Sequence, residues 1–239
     1  MILALSRALR RARAGVLVAA LGAFALSPAL PGASGGEAQA TQRYFDQETG
    51  RWRDRPASRL RSGARKPAQR FMRQTVRLQT SEKPGTIIVD TQKKYLFLVQ
   101  PGGKAIRYGV GVGREGFGWN GVVKVGRKAK WPSWTPPAEM IAREAKKGNT
   151  IPRFVKGGRS NPLGARALYL YEGGRDTIFR IHGTNQPWTI GLNMSSGCIR
   201  MMNKDVEHLY ERAPRGTKVV VIGPGGKGRP AVYRPGRKI

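Results

Sequence analysis

Cysteine and histidine are the scarcest reactive residues in this 239-residue chain, which has one cysteine and two histidines. One cysteine excludes an internal disulfide, and a zinc site made only of Cys and His needs more ligands than these. A mixed site with carboxylate ligands stays open. Acidic residues are also few, because 14 Asp and Glu oppose 44 Lys and Arg for a net charge of +30. Such a charge predicts attraction to polyanions without identifying any chemistry.

The first forty residues read as an export signal. Basic residues between Arg7 and Arg13 precede the uncharged apolar run 15–26, and Ala38-Gln39-Ala40 has the small-x-small pattern of a cleavage site. The run is shorter than the roughly 20 residues of a membrane-spanning helix. We therefore predict a signal peptide over 1–40, cleaved near Ala40, and a periplasmic or cell-envelope location. An uncleaved N-terminal anchor is the alternative.

Export also limits the kinds of polyanion that this basic chain is expected to bind. An exported protein rarely encounters nucleic acid, so we expect no nucleic-acid partner and predict contact with an anionic envelope surface. Residues 41–83 and 223–239 are basic and poor in apolar side chains. Low hydrophobicity with high net charge predicts a basic linker and a basic tail without a packed core.

Residues 84–222 predict a mainly β domain with one or two short helices. Runs rich in apolar, β-branched and aromatic residues alternate with polar or glycine-rich turns. The predicted strands are 86–90, 95–99, 105–112, 167–171, 177–181 and 218–222. Helix punctuation predicts helices over 137–147 and 203–213.

Three other features are given modest roles. Gly111 to Gly116 matches GxGxxG, but the FGWNGVV that follows predicts a turn and strand, not the helix that a dinucleotide site needs. His208 is interpreted as a solvated or half-packed residue of a helix. The Trp-Pro stretch 131–137 is interpreted as bracing a loop, with stacking on a sugar or base as the alternative.

The strongest chemical signal is the pair His182 and Cys198. The strand 177–181 delivers His182 at its end, and Cys198 follows in the glycine-bearing stretch Ser195-Ser-Gly-Cys198. His182 can remove the thiol proton or stabilise the thiolate as imidazolium. Gly197 allows close backbone approach, so the N–H groups of Ser196, Gly197 and Cys198 are predicted to form an oxyanion hole. These residue patterns leave a catalytic pair and a buried, inert Cys as alternatives.

The motif decides in favour of the pair because it resembles the YkuD-type catalytic domain of L,D-transpeptidases. The matching runs are HGTN (182–185), IG (190–191), SxGCIRM (195–201) and NKDV (203–206). Strand-like 87–99 and 108–113, NPLG (161–164) and GTKVV (216–220) extend the resemblance over roughly 84–222. It implies a β-sandwich-like fold with the active site at one end, under a mobile lid loop.

The resemblance also implies a reaction. Cys198 would attack the carbonyl between a diamino acid and D-Ala in a peptidoglycan tetrapeptide stem, with His182 as proton donor and acceptor. The backbone carbonyl of Gly183 would orient His182. An amine of a second stem, or of a protein tethered to the wall, would resolve the thioester, so no cofactor is required. Water as acceptor would make an L,D-carboxypeptidase or a hydrolase of existing crosslinks, and a noncatalytic, polycationic envelope-binding protein is a further alternative.

Substrate binding is assigned to Arg200, Asn203 and Thr184, because a guanidinium suits a stem carboxylate and the other two belong to the motif. One position departs from the pattern: many members have His where this chain has Ser196. Since the backbone N–H is independent of the side chain, catalysis is expected to survive this change.

Overall fold

In a computed structural model, residues 42–46, 51–55, 67–113 and 119–239 are described. The predicted signal peptide and Gly116 lie outside them. These ranges contain fourteen strands and two α-helices: β1 Gln42–Asp46, β2 Arg51–Arg55, β3 Gln74–Thr80, β4 Ile87–Asp90, β5 Tyr95–Gln100, β6 Lys104–Gly109, β7 Val112–Gly113, β8 Gly121–Lys130, α1 Ala138–Ala145, β9 Arg166–Glu172, β10 Arg175–His182, β11 Asn193–Ser195, β12 Ile199–Arg200, α2 Asn203–Arg212, β13 Lys218–Ile222 and β14 Tyr233–Lys238. Within the described ranges, neither helix has the length and apolar character needed to cross a membrane.

Ten strands form one curled sheet in the order β12-β10-β9-β8-β13-β4-β5-β6-β3-β14. The central strands β4 and β13 bury both of their faces, as their unbroken runs of Ile and Val require. Ile87 and Val89 enter one apolar cluster with α2, whereas Ile88 enters a second cluster with β3 and β14. The two clusters lie on opposite faces of the one curled sheet, and the prediction of a mainly β fold is confirmed.

Strands β3 and β14 correct the predicted linker and tail. β3 buries Val76 and Leu78, and β14 pairs with it antiparallel and buries Tyr233. The Tyr233 hydroxyl donates a hydrogen bond of 2.9 Å to the buried Asp90 carboxylate. Strands β3 and β14 have few apolar side chains, but the pairing of the two strands places these side chains in the second cluster. The hairpin of β1 and β2 likewise lies within the predicted linker.

The predicted strand 105–112 divides into two. β6 ends at Gly109, where an added Cβ would lie 2.4 Å from the carbonyl oxygen of Phe71, so this backbone is in close contact with the segment before β3. The chain then leaves the sheet, Gly111 exchanges two backbone hydrogen bonds with Arg200, and β7 pairs with β11. The other predicted strands and both helices are found within two residues of their predicted ends.

The active-site motif lies where β10 and β12 pair in parallel. This register sets His182 opposite Arg200, and the His182 carbonyl accepts the backbone N–H of Met201. Cys198 immediately precedes β12, and α2 begins at Asn203. Two stretches sixteen residues apart in sequence are therefore joined at one end of the sheet.

Candidate active site

His182 has a buried imidazole whose orientation is fixed by a hydrogen bond. It is 2 % exposed, and its Nδ1 lies 2.5 Å from the carbonyl oxygen of Gly183, which makes Nδ1–H the donor and leaves Nε2 as the acceptor. Burial, followed by the positive charges of Arg200 and Arg180, lowers the pKa of His182 to about 3, and the hydrogen bond to Gly183 opposes this shift. The predicted orienting role of the Gly183 carbonyl agrees with this geometry.

Cys198 is half-buried in a groove that His182 also lines. Its thiol points toward the carbonyl oxygen of Ile178, 4.0 Å from the sulfur. Burial raises the pKa of Cys198, while a hydrogen bond from the backbone N–H of Arg180 and the charges of Arg180 and Arg200 act in the opposite direction. With a raised thiol pKa and a lowered imidazole pKa, the resting pair is neutral. This favours His182 as general base over a preformed ion pair.

The nucleophile loop offers three backbone donors. Gly197 has φ +102°, a conformation that glycine adopts readily. No acceptor among the described residues takes a hydrogen bond from the N–H groups of Ser196, Gly197 or Cys198. The Ser195 hydroxyl donates to the Cys198 carbonyl at 2.5 Å, which holds the turn from within. These three N–H groups are the predicted oxyanion donors, and that role stays a prediction.

Trp119 braces the same loop from the outside. Its indole N–H donates to the Gly197 carbonyl at 3.1 Å, and its ring stacks on Phe179 with centroids 4.7 Å apart. Phe179 itself lines the groove. Sequence reasoning missed Trp119, because only the fold brings residue 119 to residue 197.

The groove beside Cys198 has a volume of about 810 Å³. One wall comes from β8, β9 and β10, and the other from the segment between β8 and β9, including the start of α1. Trp134 packs there with Ile151, Val155 and Leu163, and its backbone exchanges two 2.8 Å hydrogen bonds with Val155. Bracing by the Trp-Pro stretch is thus confirmed, and the same stretch also lines the groove. The predicted mobility of a lid stays a prediction.

Thr184 and Asn203 act differently from the prediction that they bind substrate. The Asn203 side-chain oxygen accepts the backbone N–H groups of Ala165 at 3.0 Å and Thr184 at 3.2 Å. Thr184 is buried, and its hydroxyl accepts the N–H of Gln186. Neither side chain lines the groove. They hold the loop that carries the Gly183 carbonyl, and are therefore positioning residues.

Arg200 lies in the groove, as predicted, and is 3 % exposed. His208 lies outside the groove lining and on α2, where its Nδ1 is 2.8 Å from the hydroxyl of buried Tyr108. Burial, followed by the charges of Arg73 and Arg212, lowers the pKa of His208 to about 4. The interpretation of a half-packed helical histidine is confirmed.

Sequence reasoning also missed a row of charged and aromatic residues across the groove wall. Arg127, Tyr169 and Arg180 are direct cross-strand neighbours on β8, β9 and β10. The guanidinium carbons of Arg127 and Arg180 lie 3.4 and 4.3 Å from the Tyr169 ring centroid. Asp176 holds Arg180 through two hydrogen bonds of 2.6 and 2.9 Å. The sequence does contain one sign that Arg180 faces the site: it precedes His182 by two residues in a predicted strand, and alternate strand residues share a face.

The described part of the chain contains no candidate metal site. No group of three or more His, Cys, Asp or Glu side chains there is arranged to hold a metal ion. The GxGxxG match begins at the Gly111–Arg200 bridge and runs into β7. Its described start is therefore a strand connection, without the helix that would receive a dinucleotide phosphate.

Comparison with known proteins identifies the domain. The YkuD family model, described as the L,D-transpeptidase catalytic domain, matches residues 84–221. "Probable L,D-transpeptidase ErfK/SrfK" of Escherichia coli K12 is 37 % identical over 139 residues, covering 57 % of this chain and 43 % of that protein. "Probable L,D-transpeptidase YbiS" of the same strain is 36 % identical over 140 residues, covering 58 % and 44 %. The chain thus spans less than half the length of these curated relatives.

A crystal structure from Brucella melitensis is 46 % identical and covers 63 % of this chain and 93 % of that chain, with a TM-score of 0.42. It is described as a probable carnitine operon oxidoreductase. That description belongs to the Brucella protein, whereas the family match rests on more than half of this chain, including His182 and Cys198. The chain belongs to the YkuD family of L,D-transpeptidase catalytic domains.

Proposed function

We propose that this protein is a peptidoglycan L,D-transpeptidase with Cys198 as its nucleophile. The observation that carries the proposal is a neutral thiol in one groove with a neutral imidazole, whose orientation is set by the Gly183 carbonyl. The family match and the names of the relatives support the same activity. Acyl transfer needs a nucleophile, a base and oxyanion donors, and the presence of Cys198, His182 and Ser196 in one groove supports these roles.

In the first half-reaction, the scissile carbonyl between the diamino acid and D-Ala enters beside Cys198. His182 takes the thiol proton as sulfur attacks the carbonyl carbon, and the N–H groups of residues 196–198 stabilise the developing oxyanion. The C–N bond then breaks, D-Ala leaves with the proton from His182, and a thioester remains on Cys198. One oxyanion donor contributes about 3 kcal/mol to transition-state stabilisation in enzymes of this chemistry.

In the second half-reaction, an acceptor amine attacks the thioester and gives its proton to His182. The tetrahedral intermediate collapses, the C–S bond breaks, and the proton returns to the Cys198 sulfur. An amine of a second stem yields a 3→3 crosslink, and an amine of an envelope protein attaches that protein to the wall. The free energy of the original peptide bond is kept in the thioester, so the chain needs no nucleotide for this step.

The test uses the purified protein with disaccharide-tetrapeptides and mass spectrometry of the products. We expect dimers that have lost one D-Ala, and a protein mass increased by the acyl group during turnover. The Cys198→Ala variant should yield neither. Tripeptides without dimers would assign hydrolysis to the site, and no product from the folded protein would refute acyl transfer.

The proposed location is the periplasm, after cleavage of the signal peptide near Ala40. Exposed Arg234, Arg237 and Lys238 on β14 continue the basic character of the chain into the folded domain. We propose that these residues and the basic segment before β3 hold the protein against anionic envelope surfaces. Charge screening over about 8 Å at 0.15 M ionic strength predicts that added salt releases the Cys198→Ala protein from sacculi or anionic vesicles. Retention independent of salt would contradict this contact.

A further inference from the structure

The groove beside Cys198 is strongly cationic. Its lining includes Arg127, Arg143, Arg180 and Arg200, with Glu139 as its one acidic residue; Asp176 and Glu144, which pair with Arg180 and Arg143, are not part of the lining. Guanidinium groups bind carboxylates with two parallel hydrogen bonds, and a groove of low dielectric strengthens such pairs. The lining therefore suits a ligand that carries more than one carboxylate.

Arg180 is fixed in place but keeps one edge for a ligand. Its Nη1 donates to Asp176 Oδ1 and to the Phe179 carbonyl, and its Nη2 donates to Asp176 Oδ2. Of the five guanidinium N–H groups, the Nε–H and the second Nη2–H have no acceptor among the described residues. Those two groups lie on the same edge of the guanidinium and can together bind both oxygens of one carboxylate.

The surroundings of Arg180 keep this edge ordered. The Tyr169 ring contacts both Arg180 and Arg127, whose guanidinium charge also lies in the groove. The Arg180 side chain is 16 % exposed, so a ligand can reach it while solvent screening is limited. Because the guanidinium is already held, a ligand loses little affinity to side-chain ordering.

Arg180 is also adjacent to the reacting sulfur. Its backbone N–H is a hydrogen-bond donor to Cys198, and His182 lies two residues further along the same strand. A carboxylate bound at Arg180 would therefore be carried by the stem residues flanking the attacked carbonyl. In a tetrapeptide stem with free acids, the glutamate and the diaminopimelate carry carboxylates on the donor side, and the terminal D-Ala carries one on the leaving-group side. Binding of the D-Ala carboxylate at Arg180 would leave the three stems of the test below equal in affinity.

We propose that Arg180 determines specificity by binding a free donor-side carboxylate through its Nε–H and Nη2–H groups, so that the groove prefers stems that are not amidated there. This inference rests on the proposed function, since it concerns the donor of the same reaction. It assigns Asp176 a positioning role, because Asp176 sets the orientation of the Arg180 edge.

The test measures dissociation constants by calorimetry in the Cys198→Ala background, where no turnover occurs. The ligands are three disaccharide-tetrapeptides: one with both donor-side carboxylates free, one amidated at glutamate, and one amidated at diaminopimelate. Each is titrated into the parent, into Arg180→Gln, and into Arg175→Gln. Arg175 is an exposed residue of β10 outside the groove, so its variant controls for the loss of one positive charge.

We expect at least one amidation to weaken binding about tenfold or more in the parent and in Arg175→Gln, as for a lost charge-assisted hydrogen-bond pair. In Arg180→Gln, the free and amidated stems should bind equally. Equal binding of all stems by the parent, or unchanged discrimination in Arg180→Gln with a parental circular-dichroism spectrum, overturns the inference. Acylation of Cys198 in the unsubstituted protein is scored separately: its absence refutes the proposed function, whereas acylation without discrimination refutes only the role of Arg180.

Discussion

Replacing Asn203 by Ala should destabilise the protein and misplace its base. The Asn203 oxygen accepts two backbone N–H groups, from Ala165 and Thr184, and both residues are buried. A buried donor without a partner costs about 1–3 kcal/mol. Partial entry of water at half-buried Asn203 favours the lower part of the combined range, so we expect a loss of about 2–4 kcal/mol in the free energy of unfolding.

The loss should also appear in catalysis, since Thr184 follows the carbonyl that orients His182. With this loop loosened, the Gly183 carbonyl no longer holds Nδ1–H, and kcat for acylation should fall about 10-fold or more, as when a catalytic group is misplaced. KM should change little, because Asn203 does not line the groove.

Urea unfolding, followed by circular dichroism, measures the change in the free energy of unfolding. Quenched acylation assays measure the change in kcat. Asn203→Asp is the matched variant, because a carboxylate oxygen can accept the same two N–H groups and should preserve most of the stability near neutral pH. Asn193→Ala, at an exposed position of β11, controls for the substitution itself. A change below about 0.5 kcal/mol in Asn203→Ala, the range of ordinary surface substitutions, would refute the reasoning.

Three further predictions concern the rest of the domain. Tyr233→Phe removes the 2.9 Å hydrogen bond to the buried Asp90 carboxylate and should lower the free energy of unfolding by about 2 kcal/mol, measured with urea; an unchanged midpoint would mean that this hydrogen bond contributes little to stability. Burial raises the pKa of Asp205 to about 6, above its unfolded value, so the folded state binds the extra proton. The free energy of unfolding should then fall by about 2 kcal/mol as pH rises from 4 to 6, and Asp205→Asn should abolish that fall; an identical slope in the variant would exclude Asp205 as its source. Ile178 is 67 % exposed with φ +58°, so Ile178→Asn should raise the unfolding free energy by about 1 kcal/mol, seen as a higher Tm; a lower Tm would show that the strain is offset elsewhere.

The central strands could be predicted from the sequence because their apolar residues are continuous. Strand β4 buries all four of its residues, so its composition alone marks it. Strand β3 buries only Val76 and Leu78 among seven residues, and β14 contains Pro235 and Gly236. Such segments become strands because they pair with each other and, through β3, with β6, and no local pattern reports that pairing.

The site could be predicted as a motif but not as a geometry. The match of Cys198 and His182 to a family pattern identified the pair, whereas the parallel pairing of β12 with β10 that joins them is visible only in the fold. Asn203 was assigned to substrate because a motif position says nothing of where a side chain points. Arg180 was missed because it belongs to no motif, and only the pairing of β10 with β9 sets it beside Tyr169 in the groove wall.

The pairing of β3 with β14 has a consequence for any fragment of this protein. Trimming the chain to the family match would delete both strands and uncover Ile88 and Phe97, which are less than 2 % exposed in the intact fold. It would also turn β6 into an open sheet edge, and an apolar strip beside an open edge promotes aggregation. A fragment intended for expression or crystallisation therefore has to begin before Gln69, so that it keeps the turn in which Phe71 contacts Gly109. It also has to continue through Lys238, the last residue of β14.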